Sequence, residues 1–167
     1  GYGYLRRVIA GFNNAAKGTP FLILTDLDTY KCPPNLIADW LSVPKHENLL
    51  LRVAVTEVEA WLLADREGIS EFLGVKADLV PANAENLSDP KRTLVQLACR
   101  SRKREIRRDI CPGINSTRTV GPNYNPQLVS FVDAQWDIQT ASVNAPSLSR
   151  LLQKLATFEP IYSPRNN

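Results

Sequence analysis

Methionine is absent from this 167-residue chain, and there is one histidine, His46. With no C-x-x-C pair among Cys32, Cys99 and Cys111, that leaves no zinc centre of Cys/His type. Three cysteines, odd in number and far apart, argue against a disulfide framework and fit a reducing compartment. A Cys–His nucleophile is disfavoured too, because His46 sits in a polar stretch, Pro44-Lys45-His46-Glu47-Asn48. No apolar run reaches the length of about 18 residues that spans a bilayer. No basic-then-apolar leader opens the chain, so a soluble, cytoplasmic protein without membrane contact is expected. The G-x-x-x-x-G-K-[ST] phosphate loop is missing, which excludes a P-loop ATPase. Ser, His and Asp fall into no recognisable triad order. The start at Gly1 and the lack of methionine lead us to expect a fragment, or a chain that has lost its first residues.

What is present begins with composition. At 44% hydrophobic the chain is able to bury one sizeable core. Its net charge of +3 is too small to imply nucleic acid by itself. The distribution says more: Lys91, Arg92, Arg100, Arg102, Lys103, Arg104, Arg107 and Arg108 crowd one segment with a single acid, Glu105.

Hydrophobic spacing predicts a helix from Leu5 to Ala16, stopped by Lys17-Gly18-Thr19-Pro20. Phe21–Thr25 is a continuous apolar run of strand length, predicting a strand covered on both faces. A short helix over Asn35–Leu41, a second buried strand over Leu49–Val55 and a helix from Thr56 to about Asp65 follow. Helical residues near Ser70–Leu73 end at Gly74. Val80–Pro90 reads as loop, Lys91–Arg107 as one long helix, and Pro112–Asn125 as loop rich in turn dipeptides. Helices over Pro126–Trp136 and Ser147–Leu155 complete the chain, with a frayed tail from Pro160. Trp40, Trp61 and Trp136 are expected in the core. Strands alternating with helices predict an α/β fold with a parallel sheet flanked by helices, and a mostly helical C-terminal part. We divide it as a core over 1–110 and a loop-rich, helical extension of the same domain over 111–167.

The sharpest chemical signal is Asp26-Leu27-Asp28 at the end of the first strand. Residues two apart on an extended backbone point to the same side, and ligand sites of open α/β sheets lie beyond strand C-termini. Two carboxylates there suit a hard cation, Mg²⁺ or Mn²⁺, although Asp is also common wherever a strand simply ends. A second pair, Glu57 and Glu59, follows the second strand. Thr56-x-x-Glu59 has the form of a capping box, so Glu59 has a structural explanation that Glu57 lacks. On a regular helix the two would diverge by about 200°. The third feature is the basic segment. On one helix Arg100, Lys103, Arg104, Arg107 and Arg108 share an arc of roughly 140°. Such a stripe is suited to phosphates, to an acidic partner protein, or to water alone.

In this order, Asp26-x-Asp28, Glu57-x-Glu59-Ala60 and Pro90-Lys91-Arg92 resemble the Toprim-like nucleases, in particular a bacterial phage-defence type encoded beside ABC-type ATPases. The overcoming-lysogenization-defect nucleases are similar. The resemblance covers roughly Gly1 to Arg92. It implies Asp26 and Asp28 on one metal ion, Glu57 and Glu59 on a second, and Lys91 near the scissile phosphate. Arg92, Arg100, Lys103, Arg104, Arg107 and Arg108 are then the candidate nucleic-acid contacts. The implied activity is phosphodiester hydrolysis of DNA or RNA, with an ABC-type ATPase as partner. The alternative is a non-catalytic regulatory or scaffold subunit docked on that ATPase. One departure stands out: such domains carry an essential glutamate after the first strand, upstream of D-x-D, and Asp26 is the first acid here. We therefore expect an N-terminal strand to be missing, or an inactive relative.

Overall fold

A computed structural model describes residues 2–27, 29–54 and 57–162. It is a mixed α/β chain, mostly helical, and among the described residues its sheet has two parallel strands. The chain divides into two compact units, Gly1–Val55 with Arg150–Asn167, and Thr56–Ser149. The boundary drawn from sequence at 110/111 coincides with the end of a helix, Arg104–Ile110.

In the first unit, α1 (Tyr2–Ala15) leads to β1 (Phe21–Asp26), α2 (Pro33–Trp40) and β2 (Leu49–Ala54). The strands pair in register from Phe21 opposite Leu49 to Asp26 opposite Ala54, and α2 lies in the crossover that parallel pairing requires. Ile9, Ile23, Leu36, Trp40, Leu49 and Leu51 form the core of this unit. The expectation that β1 is covered on both faces fails. Ile23 and Thr25 are buried, but Leu22 and Leu24 on the other face are 50% and 37% exposed. Continuous apolar sequence here reflects strand-forming side chains on both faces, not burial of both.

Polar side chains hold the loop before β2. Buried Asn13 donates to the Pro44 carbonyl at 3.0 Å and accepts the His46 amide at 2.7 Å. His46 Nδ1 accepts the Asn48 amide at 3.1 Å, a turn-making role with no cysteine involved. Asn48, fully buried, donates to the carbonyls of Ala16 (3.0 Å) and Ile161 (2.6 Å) and accepts the Ile161 amide at 2.7 Å.

The second unit packs α3 (Val58–Ala64), α4 (Arg66–Leu73), α5 (Pro90–Cys99), α6 (Arg104–Ile110), α7 (Tyr124–Ala134) and α8 (Ile138–Asn144), followed by α9 (Pro146–Ala156), within which the boundary with the first unit falls. Leu63, Ile69, Leu73, Leu94, Ile110 and Phe131 centre its core, and Trp61 is buried. Gly74 ends α4 at φ 67°, the left-handed turn that glycine adopts without penalty. α8 was not foreseen; Asp137 caps it by accepting the amides of Gln139 and Thr140.

Two corrections concern α5 and α6. The single helix expected over Lys91–Arg107 is broken at Arg100–Lys103. Buried Ser101 accepts the Lys103 amide at 2.9 Å through its hydroxyl, giving the backbone a local alternative to the helix. The cysteines are not all free either: Cys99 and Cys111, Cα atoms 5.5 Å apart, are disulfide-bonded, and Cys32 remains a thiol. The break brings the end of α6 to the end of α5, so that Cys111 meets Cys99, two residues that would lie far apart on a continuous helix. No helix among the described residues is long and apolar enough to cross a membrane.

Candidate functional site

The site in the second unit begins with the first amides of α5, which lack partners within the helix. Pro90 at the first position has no N–H to satisfy. Asp89, the N-cap, accepts the Arg92 amide at 2.7 Å. The Lys91 amide goes to Glu57 Oε2 at 2.8 Å, 34 residues away in sequence. Two carboxylates thus sit where the partial positive charge of the helix end favours them.

Glu57 reaches α5 because it is extended (φ −141°, ψ 159°) and is itself the N-cap of α3. The capping box read from sequence needed Thr56 as N-cap; Thr56 lies outside the described residues, and α3 starts at Val58. With Glu57 extended and Glu59 in the first helical turn, the divergence expected of a regular helix does not apply. Glu59 Oε1 accepts the Tyr124 hydroxyl at 2.8 Å and lies 3.7 Å from Lys91 Nζ. That ammonium also stands 5.2 Å from the centre of the Tyr124 ring, within cation–π range. Glu57, Glu59 and Lys91 are therefore brought together, and Tyr124 is added to them.

Tyr124 is held from behind. The Gly121 amide donates to the Ile110 carbonyl at 2.8 Å, and a Cβ at Gly121 would come within 2.4 Å of the Asp109 carbonyl oxygen. Buried Asp109 accepts from Arg108 Nε (2.8 Å), Asn123 Nδ2 (3.2 Å) and Gln127 Nε2 (2.7 Å), fixing the start of α7. The end of the loop expected over Pro112–Asn125 anchors the tyrosine, and α7 starts at Tyr124, inside that range. What could have signalled this is the run Gly121-Pro122-Asn123-Tyr124-Asn125 at a helix start. Asp89-Pro90, the N-cap and first position of α5, was a plain signal that went unread.

Charge states follow from these contacts. Desolvation, opposed by the Lys91 amide, raises the pKa of Glu57, and the nearby charges of Glu59 and Asp89 add to it. Burial, then the charge of Glu59, raises that of the Tyr124 hydroxyl, which stays protonated and donates. The hydrogen bond from Arg108 above all, with Gln127 and Asn123, lowers Asp109 to about 2.

An 860 Å³ cavity opens beside this cluster, with Glu57, Asp89, Lys91, Arg92, Val95, Gln96, Cys99 and Arg100 on one side and Pro112 and Thr119 on the other. The basic segment is divided in its work. Lys103 Nζ donates to the Glu71 and Phe72 carbonyls at 2.8 and 3.1 Å, closing the end of α4. Arg107 donates to the Ser101 carbonyl, and Arg108 pairs with Asp109 and Glu105. Because α5 and α6 are separate helices, the expected single basic face does not form. Arg92, Arg100 and Arg104 are exposed, with no side-chain partner among the described residues.

Asp26 is half-buried at the end of β1 in the first unit, where the Leu27 amide donates to the Ala54 carbonyl at 3.0 Å. Asp28 lies outside the described residues. Among the described residues no group of three or more His, Cys, Asp or Glu is gathered to hold a metal ion. Glu57 Oε1 and Glu59 Oε2 nonetheless have no protein partner among those residues, and carboxylate oxygens are the donors Mg²⁺ and Mn²⁺ take. Compared with family models, curated proteins and solved structures, the chain matches none.

Proposed function

We propose that this chain is a Toprim-like, divalent-metal-dependent endonuclease that hydrolyses phosphodiester bonds, the effector of a bacterial anti-phage system with an ABC-type ATPase. The observation that carries this reading is the meeting of Lys91 with Glu57 and Glu59, residues the resemblance assigns to one chemistry, with Glu57 34 residues from Lys91 in sequence. Asp26 and Asp28 are the ligands of one ion, Glu57 and Glu59 of another. The donor set fits: it is all carboxylate oxygen, the choice of hard cations. Bound Mg²⁺ or Mn²⁺ supplies a Lewis acid and a water of lowered pKa. Tyr124 occupies one oxygen of Glu59 and leaves the other for the metal. Lys91, at the cavity edge, places an ammonium where negative charge develops on phosphate.

Cleavage of plasmid and of single-stranded oligonucleotide, with Mg²⁺ or Mn²⁺, tests this directly. Asp26→Ala/Asp28→Ala and Glu57→Gln/Glu59→Gln should each abolish cleavage and calorimetric Mn²⁺ binding while the far-ultraviolet dichroism stays unchanged. Cleavage that survives both double changes sinks the assignment.

One observation favours a second reading, a non-catalytic subunit docked on an ATPase: Ile114 is wholly exposed in the 112–119 loop, an apolar anchor without cover. A wild type without cleavage, whose ATPase co-purification resists nuclease and is lost with Ile114→Asp, would favour it.

A further inference from the structure

We infer that the cavity along α5 receives a segment of single-stranded nucleic acid, with backbone phosphates on Arg92 and Arg100 and a base on the floor between them. The inference deepens the hydrolase reading and rests on it for the kind of ligand. Its geometry comes from the helix. Arg92, Gln96 and Arg100 recur every fourth residue, so they form one strip along α5. Eight residues of helix rise by about 12 Å. At about 3.4 Å per nucleotide of stacked strand, that distance takes more than one phosphate.

Charge along the cavity is uneven. Glu57 and Asp89 also line it, but each carboxylate accepts an amide of the α5 N-terminus, at 2.8 and 2.7 Å. Arg92 and Arg100 have no such partner among the described residues, and guanidinium groups match phosphate oxygens in pairs. Between them Val95 and Cys99 lie beside Gln96, and the cavity lining as a whole is more apolar than polar. A volume of 860 Å³ belongs to the range that encloses small organic ligands, enough for a base with its sugar. Cations at the rim and a mostly apolar floor suit an unpaired nucleotide. A duplex keeps its bases turned inward and has none to lay on the floor. Lys91 and Glu57 stand at one end of the strip, so a strand lying along it leads toward the proposed chemistry.

Fluorescence anisotropy of a labelled 12-nucleotide single strand tests the inference, in EDTA so that no cleavage intervenes. Arg92→Ala and Arg100→Ala are each expected to weaken binding about tenfold, the usual effect of losing a charged hydrogen bond. Each should also lower the slope of log affinity against log salt by about 0.7. Lys76→Ala, an exposed cation elsewhere on the same unit, should stay within about twofold. The matching duplex should bind at least about tenfold more weakly, and thymidine monophosphate should compete poorly. Equal losses with Lys76→Ala, equal duplex binding, equal competition by the mononucleotide, or no binding at all would each overturn the proposal. Metal-dependent cleavage unchanged by Arg92→Ala/Arg100→Ala would refute the strand site and leave the hydrolase standing. Arginine-dependent binding with no cleavage in any metal would do the reverse.

Discussion

Tyr124 does two things with one side chain: its hydroxyl donates to Glu59, and its ring faces the Lys91 ammonium. Removing the hydroxyl leaves a largely buried carboxylate short of a donor, a loss of about 1–3 kcal/mol. Tyr124→Phe should therefore unfold at lower urea, with an unchanged denaturant slope. Cleavage should fall as well, because Glu59 is no longer held. A second residue-scale prediction concerns acid. Asp109 has its pKa lowered to about 2, so its contribution is complete above the ordinary carboxylate value of 3.8 and is lost as pH falls through about 2. Acid titration of stability should show a loss between about pH 4 and pH 2 that Asp109→Asn no longer displays. At this scale the sequence was partly legible. Glu57 and Lys91 were named for their types and order. Tyr124 was missed as a partner because it lies 65 residues from Glu59, and no local pattern records a contact made by tertiary packing.

At the scale of elements, start and stop residues were the most readable part. Gly74 closes α4 as expected, and both strands lie within a residue of where their apolar runs placed them. Failures came where local chemistry and helix periodicity compete. Ser101 broke a helix that spacing alone carried through, and with it went the shared basic face. The same break made the Cys99–Cys111 bond possible. Chain-entropy reasoning for a loop of this size gives about 3 kcal/mol of stabilisation. Cys111→Ser, or addition of reductant, should lower the free energy of unfolding by about 2–3 kcal/mol in urea titrations. Because Cys99 lines the cavity and Pro112 follows Cys111, single-strand binding should weaken in the same samples.

For the whole molecule, sequence correctly indicated a mixed α/β chain with parallel strands and much helix, and composition allowed one sizeable core. It did not indicate two cores. Helices and strands are written in local periodicity, whereas the division between units depends on which apolar faces meet. The chemistry-bearing residues are shared out accordingly: Asp26 belongs to the first unit, and Glu57, Glu59, Lys91 and Tyr124 to the second.

The first unit draws on both ends of the chain, and that arrangement bears on how it emerges from a ribosome. Asn48 is fully buried and exchanges hydrogen bonds with Ile161, 113 residues later. At about 5–20 residues per second, those residues take on the order of 5–25 s to appear. Throughout that interval the side-chain amide of Asn48 waits without its last partner, and the second unit, 56–149, is completed before Ile161 appears. The nascent chain therefore matures from the middle outward. The segment around β1 and β2 is the stretch that a chaperone or protease has longest to find.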